Sequence, residues 1–264
     1  MPADLLNVER RGSGPPLVLL HGLGHRWQAW EPVLEELSAH HEVIALDLPG
    51  FGASPAPQRP PADVPALAAV VTAFLAAESV EWPHVAGSSL GGAVALELAV
   101  AGVAASATAF SPAGFATGPE RRRALAILRT LRANTFLPAP VIRTVLRSRL
   151  LRGVCFGALV AHPSRLTPER MVDDALAMRR GRGFGAAARA LLRYRFTGAP
   201  EVPVTIAWGD RDRILRPHQA ERARRQLPQA RHVLLRGCGH VPMSDDPTLV
   251  ASAILTTTGA TRST

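Results

Sequence analysis

Residues 85–92 read VAGSSLGG. The stretch opens apolar, passes through two hydroxyls framed by glycine, and closes on Gly91 and Gly92. The pattern Gly87-x-Ser89-x-Gly91 is weak by itself, and its flanks give it weight. HVAGS (84–88) has the short apolar run of a buried strand, and LGGAVALELAV (90–100) reads as a helix that starts with small residues. A serine on such a corner sits in a strained turn with its hydroxyl presented at the end of a sheet. The glycines let neighbouring backbone approach without a Cβ clash. The helix N-terminus that follows favours negative charge at the same point.

The same rhythm extends in both directions. LVLLHG (17–22), VIALD (43–47), ASATAFSP (105–112), VTIAWG (204–209) and HVLLRG (232–237) predict strands. Helical spacing appears over 30–38, 66–77, 217–227 and 246–255, and a proline-rich loop covers 55–65. Alternating strands and helices predict a mostly parallel central sheet with helices on both faces, an α/β fold. Between about 113 and 198 the chain reads as helices without strands. That predicts one α/β core domain from 1–112 and 199–264, with a helical cap inserted over 113–198. The ending TTTGATRST predicts a frayed tail.

Composition narrows the class. The 264 residues are 47% hydrophobic, enough for one large domain, and no run of 18 apolar residues predicts a membrane span. MPADLLNVERRG lacks a basic start followed by an apolar stretch, so no secretory leader is expected. Two distant cysteines, Cys155 and Cys238, are too few for a disulfide scaffold or a thiolate metal cage, and a cytoplasmic setting is the expectation. Net charge is +9 and every basic side chain is Arg. Residues 113–198 hold 17 Arg against four acids, +13 in all, which leaves −4 for the rest. No nucleic-acid recognition motif accompanies this charge. A solvated surface explains the arginines, and a steering field for an anionic substrate is the sharper reading.

A serine hydroxyl needs a base at neutral pH, and the base needs an orienting acid. His240 in GCGHVP (237–242) and Asp212 in WGDRDRILRP (208–217) follow predicted strands. The order Ser89, Asp212, His240 is one in which such a triad occurs. All three fall at carboxyl ends of parallel strands, where open α/β sheets gather their sites. The Leu90 amide is one candidate oxyanion donor. The Leu23 amide in His21-Gly22-Leu23-Gly24 is the second, with Gly24 as its rival. Asp210 rivals Asp212, and Ser88 lies beside Ser89. His25, Trp27, Phe51 and Val241 are candidates for lining a pocket or for plain packing. No cluster has metal-ligand spacing and no Gly-x-Gly-x-x-Gly opens a helix, so no metal or cofactor is expected.

Taken together, HGLG (21–24), DLPGFGAS (47–54), GSSLGG (87–92), WGDRD (208–212) and GCGHVP (237–242) resemble the α/β-hydrolase family over about 17–255. The resemblance implies eight strands, a helical cap after the sixth, and an acid at Asp212 rather than Asp210. It also implies that His21 braces the oxyanion loop and that Asp47 shapes a loop. With so few residues before LVLLHG, the first edge strand is expected to be short or missing. The implied activity is a serine hydrolase acting on a carboxylic ester or thioester of a small to medium organic substrate. Members that place Asp at the elbow are disfavoured by Ser89. Members that cleave carbon–carbon bonds usually carry an aromatic after the histidine, where Val241 stands. A haloperoxidase-like side activity of the same site and a non-catalytic binding or accessory role compete with ester hydrolysis.

Overall fold

The computed structural model describes residues 6–259, and the expectations for residues 1–5 and 260–264 lie outside it. Strand β1 is Val8–Arg11 and β2 is Pro16–Leu20, whose Leu17, Val18, Leu19 and Leu20 are all fully buried. Strand β2 pairs in parallel with β3 (Glu42–Leu46) on one side and β4 (His84–Ser88) on the other. Strands buried on both faces need no alternation, which is why these runs read as continuous Leu, Val, Ile and Ala. Beyond β4 lie β5 (Ser106–Phe110), β6 (Val204–Gly209) and β7 (Arg231–Leu235), all parallel. The order is β1-β3-β2-β4-β5-β6-β7, with β1 antiparallel to β3.

Seven strands are thus present among the described residues, where the resemblance implied eight. The short β1, VERR, carries no apolar signal. It is held by its ladder to β3, with Arg10 reaching Glu42 and Glu78 at 2.8 Å across the rim.

Helices cover both faces. On one side α1 (Glu31–Ser38) sets Val33, Leu34 and Leu37 into a core. On the other, α2 (Val64–Ala77) and α3 (Leu90–Val100) pack together. Helix α2 starts at Val64, two residues before its predicted start, because the Asp63 carboxylate accepts the Ala66 amide at 2.8 Å.

From β5 to β6 the chain forms α4 (Gly118–Asn134), α5 (Ala139–Arg147), α6 (Arg149–Phe156), α7 (Pro168–Arg180) and α8 (Phe184–Arg193), with no strand among them. After β6 come α9 (His218–Gln226), the short α10 (Pro242–Asp245) and α11 (Pro247–Thr258). Helix α11 runs to Thr258, so residues 256–258 of the expected tail are helical; the Thr257 hydroxyl donates to Thr205 at 2.7 Å. No helix among the described residues is long and apolar enough to cross a membrane.

Side chains tie this helical insertion to the sheet unit. Thr117 and Glu120 form a capping box at the start of α4, and Glu120 also pairs with His218 and Arg222 of α9. Burial pushes the Glu120 carboxyl up, but hydrogen bonds from His218, Thr117 and Arg222 outweigh it and bring it down to about 2. On α7, Arg170 holds Asp174 at 3.0 and 3.1 Å and reaches Glu31 of α1. Tyr194 donates its hydroxyl to Glu97 of α3 at 2.7 Å.

Candidate active site

The sheet order changes direction at β2 and β4. The loops after these two strands therefore leave on opposite faces and open a crevice between them. Ser89 stands at that crevice between β4 and α3, with φ 55° and ψ −108°. A non-glycine residue with positive φ is strained, and here the surroundings enforce it. A Cβ on Gly91 would lie 2.1 Å from the Leu20 carbonyl oxygen, and one on Gly87 would lie 2.1 Å from that of Gly91. The glycine frame is therefore a packing requirement of the corner.

The His21–Gly24 loop faces Ser89 from the end of β2. A Cβ on Gly22 would sit 3.4 Å from the Ser89 Cβ. His21 holds this loop: its Nδ1–H donates to the Gly22 carbonyl at 2.8 Å, and Nε2 accepts the Leu48 amide at 2.9 Å. Burial pushes its pKa down to about 4, so the ring is neutral at pH 7. Asp47 is spent on structure. It accepts the Trp27 and Ala53 amides at 2.7 and 2.9 Å and the Asn7 side chain at 2.7 Å.

The Leu90 amide opens α3 and so has no partner within the helix. The Leu23 and Gly24 amides donate to no acceptor among the described residues. Both are free to donate to a bound molecule.

Asp212 and His240 meet at the ends of β6 and β7. The buried Asp212 carboxylate accepts the Ile214 and Leu215 amides at 2.8 and 2.9 Å through one oxygen. Its other oxygen lies 2.8 Å from Nδ1 of His240. Three partners fix the carboxylate, and Nδ1 of His240 is engaged as the donor, which leaves Nε2 for a proton. Asp210 is exposed and accepts the Gly237 amide at 2.7 Å, so it braces the β7 turn and does not touch His240.

Ser89 and His240 line one cavity of about 40 Å³ with Gly22, Leu23 and His25. The Ser89 hydroxyl has no hydrogen-bond partner among the described residues. In unliganded sites such contacts are often long and tighten when substrate arrives. A second cavity of about 340 Å³ adjoins the first and shares His25, Leu159, Met178 and Val241 as walls. Most of its lining is aliphatic, including Leu131, Ile142 and Leu146 from the insertion. Of the four candidate lining residues, His25 and Val241 border both cavities, whereas Trp27 and Phe51 border neither. Trp27 packs against the α1 side of the core. Phe51 is buried edge-on against His21 at 5.5 Å.

His25 accepts the Arg26 amide through Nδ1 at 3.1 Å and turns Nε2 toward Asp174, 3.9 Å away. Burial pushes its pKa down.

Sequence reasoning missed Asp245, five residues beyond His240. Its buried carboxylate accepts the Gly239 amide at 2.8 Å and the Ala161 and His162 amides at 2.9 and 2.8 Å. One side chain thus fastens the insertion to the loop that carries His240. The two backbones also touch directly. The Val241 amide donates to the Leu159 carbonyl at 2.9 Å, and a Cβ on Gly239 would lie 2.8 Å from the Ala161 nitrogen. The available signal was an acid following His240 in the short proline-led VPMSDD; nothing local marked Leu159 or Met178.

The family model described as "Alpha/beta hydrolase family" matches residues 17–253. An uncharacterized protein of Mycobacterium tuberculosis is 29% identical over 89% of this chain and 73% of its own length. The pimeloyl-[acyl-carrier protein] methyl ester esterase of Aeromonas salmonicida is 41% identical over 95 residues, 36% of each chain. Among solved structures, the esterase RhEst1 of Rhodococcus sp. ECU1013 is 27% identical with a TM-score of 0.67, covering 95% of this chain and 93% of its own.

Proposed function

The chain belongs to the alpha/beta hydrolase family, and on that footing we propose that this esterase-type hydrolase cleaves a carboxylic ester through an acyl-enzyme on Ser89. One observation carries the reading: a strained serine and a buried His240–Asp212 pair border the same small cavity.

In this mechanism Ser89 Oγ attacks the carbonyl carbon and its proton passes to Nε2 of His240. Asp212 keeps the proton of Nδ1 in place and stabilises the imidazolium. The Leu90 amide, with that of Leu23 or Gly24, receives the oxyanion; losing one such donor costs about 10²–10³ in kcat. The tetrahedral intermediate expels the alcohol, which takes the proton from His240. A water then gives a proton to His240 and adds to the acyl-enzyme. Collapse releases the acid and returns the proton to Ser89.

The helical insertion serves as the cap over this site, and the adjoining cavity takes the apolar part of the ester. Its one carboxylate, Asp174, is already matched by Arg170, and no arginine lines the cavity among the described residues. That favours an uncharged aliphatic group over an anionic one.

The test is labelling with a fluorophosphonate probe followed by hydrolysis of p-nitrophenyl alkanoates of increasing length. The expected result is labelling that vanishes in Ser89→Ala, and a kcat/KM that climbs about fourfold per added methylene until the cavity is full. Folded protein that neither labels nor hydrolyses any ester of the panel overturns the proposal.

A further inference from the structure

Among the described residues, six of the ten large apolar side chains that stay exposed lie in one stretch of the insertion: Phe136, Leu137, Val141, Leu150, Leu151 and Val154. On α6, Leu150 and Val154 are four residues apart and so stand on one face, 77% and 73% exposed. Isolated exposed leucines need no explanation, but six exposed apolar side chains within residues 136–154, on and beside two adjoining short helices, point to a contact surface.

The charge around this group is of one sign. Residues 121–168 contain ten Arg and no Asp or Glu. Arg143, Arg147 and Arg149, on α5 and at the start of α6, are exposed and have no acidic partner among the described residues. Exposed apolar side chains and unpaired arginines on the same short helices have the make-up of a segment that lies in a lipid interface, with leucines in the acyl boundary and cations at the headgroups. A second copy of this chain is a poor occupant. A two-fold contact would press each arginine against the same arginines of its partner.

We propose that α5 and α6 form a docking surface for a bilayer containing anionic phospholipid. Val145, Leu146, Cys155 and Phe156 of the same helices, with Leu137 before them, line the 340 Å³ cavity. The bilayer is thus met by the helices that also wall the proposed ester pocket. The surface itself does not depend on the chemistry assigned to Ser89.

The experiment is co-sedimentation of the full chain with phosphatidylcholine vesicles, and with the same vesicles containing phosphatidylglycerol, at low and high salt. The expected result is preferential pelleting with the anionic vesicles, weakened by salt, and unchanged in Ser89→Ala. Neutralising Arg143, Arg147 and Arg149 to Gln together should lower the partition coefficient about a hundredfold, at about fivefold per arginine. Leu150→Glu with Val154→Glu should lower it at least about tenfold. Both sites are exposed, so folding should survive, and a thermal melt checks it. Absence of pelleting, indifference to lipid charge, or full binding by the double variant overturns the proposal. So does a dimer in sedimentation velocity that the double variant dissolves.

Discussion

At the ends of β2, β4, β6 and β7 the chain is pinned by its own backbone. Gly91 sits against the Leu20 carbonyl, His21 bridges the Gly22 carbonyl and the Leu48 amide, and Asp212 takes two amides before it meets His240. The insertion is attached in another manner: α4 and α8 pack Leu125, Leu128, Phe184 and Leu191 into the apolar core, and side-chain clamps run from Glu120 to His218 and Arg222, Arg170 to Glu31, Tyr194 to Glu97, and Asp245 to the Ala161 and His162 amides. A catalytic group must be held to a fraction of an ångström, and buried backbone contacts supply that stiffness. A helical layer held by apolar packing and individual side chains can differ in sequence and shape without moving the proposed triad. Asp245 belongs to both systems, because its carboxylate bonds to each.

If that contrast holds, changes at the strand ends should erase activity while sparing the fold, and changes at the clamps should do the reverse. The largest effect is expected at Ser89. Ser89→Ala should lower kcat by at least about 10⁴-fold with little change in melting temperature, read by pre-steady-state hydrolysis and calorimetry. Retained activity would move the chemistry elsewhere.

Next comes the pair of aspartates. Asp212→Asn should cost about 10³–10⁴ in kcat, whereas Asp210→Asn should stay within a few-fold on the same assay. Equal losses would remove the distinction drawn from their contacts.

The third concerns stability and pH in the sheet unit. His21 titrates at 6.5 when unfolded and about 4 when folded, so between these values the unfolded chain binds more protons. Its contribution is complete above pH 6.5, declines as the pH drops toward 4, and amounts to about 3 kcal/mol in full. Urea titrations across that window should show the decline, and His21→Gln should flatten part of it. His25, His41 and His84 are also lowered by burial and add to the slope in the same direction.

At the seam, Asp245→Asn should destabilise by about 1.5–3 kcal/mol and lower kcat more than it raises KM, because His240 loses its anchor. A change in KM alone would confine Asp245 to the insertion. The smallest effect is expected from Glu120→Gln, under about 1 kcal/mol in denaturant titration, since partly exposed ion pairs contribute little.

Much of the sheet unit was legible in the chain alone. Strands β4 and β6 and helix α3 fall where apolar runs place them, since a strand or helix buried on most sides prints its burial directly into composition. Strand β1 was illegible for the converse reason: VERR is an edge strand defined by its ladder to β3 and not by its own side chains. The helical character of residues 113–198 was also readable, but not the course of those helices, since amphipathic periodicity tells which side is buried and not against what.

The sequence by itself determined the parallel sheet, the glycine-framed corner at Ser89 and the order of the three candidate side chains. These follow from local rules of burial, chirality and backbone sterics. Only the tertiary structure set the Asp212 carboxylate on Nδ1 of His240 and Asp210 on the Gly237 amide, brought Asp245 to the Ala161 and His162 amides, and closed a cavity between Val241 and the insertion. Those outcomes join residues tens of positions apart, and a contact of that range leaves no period in the chain from which to read it.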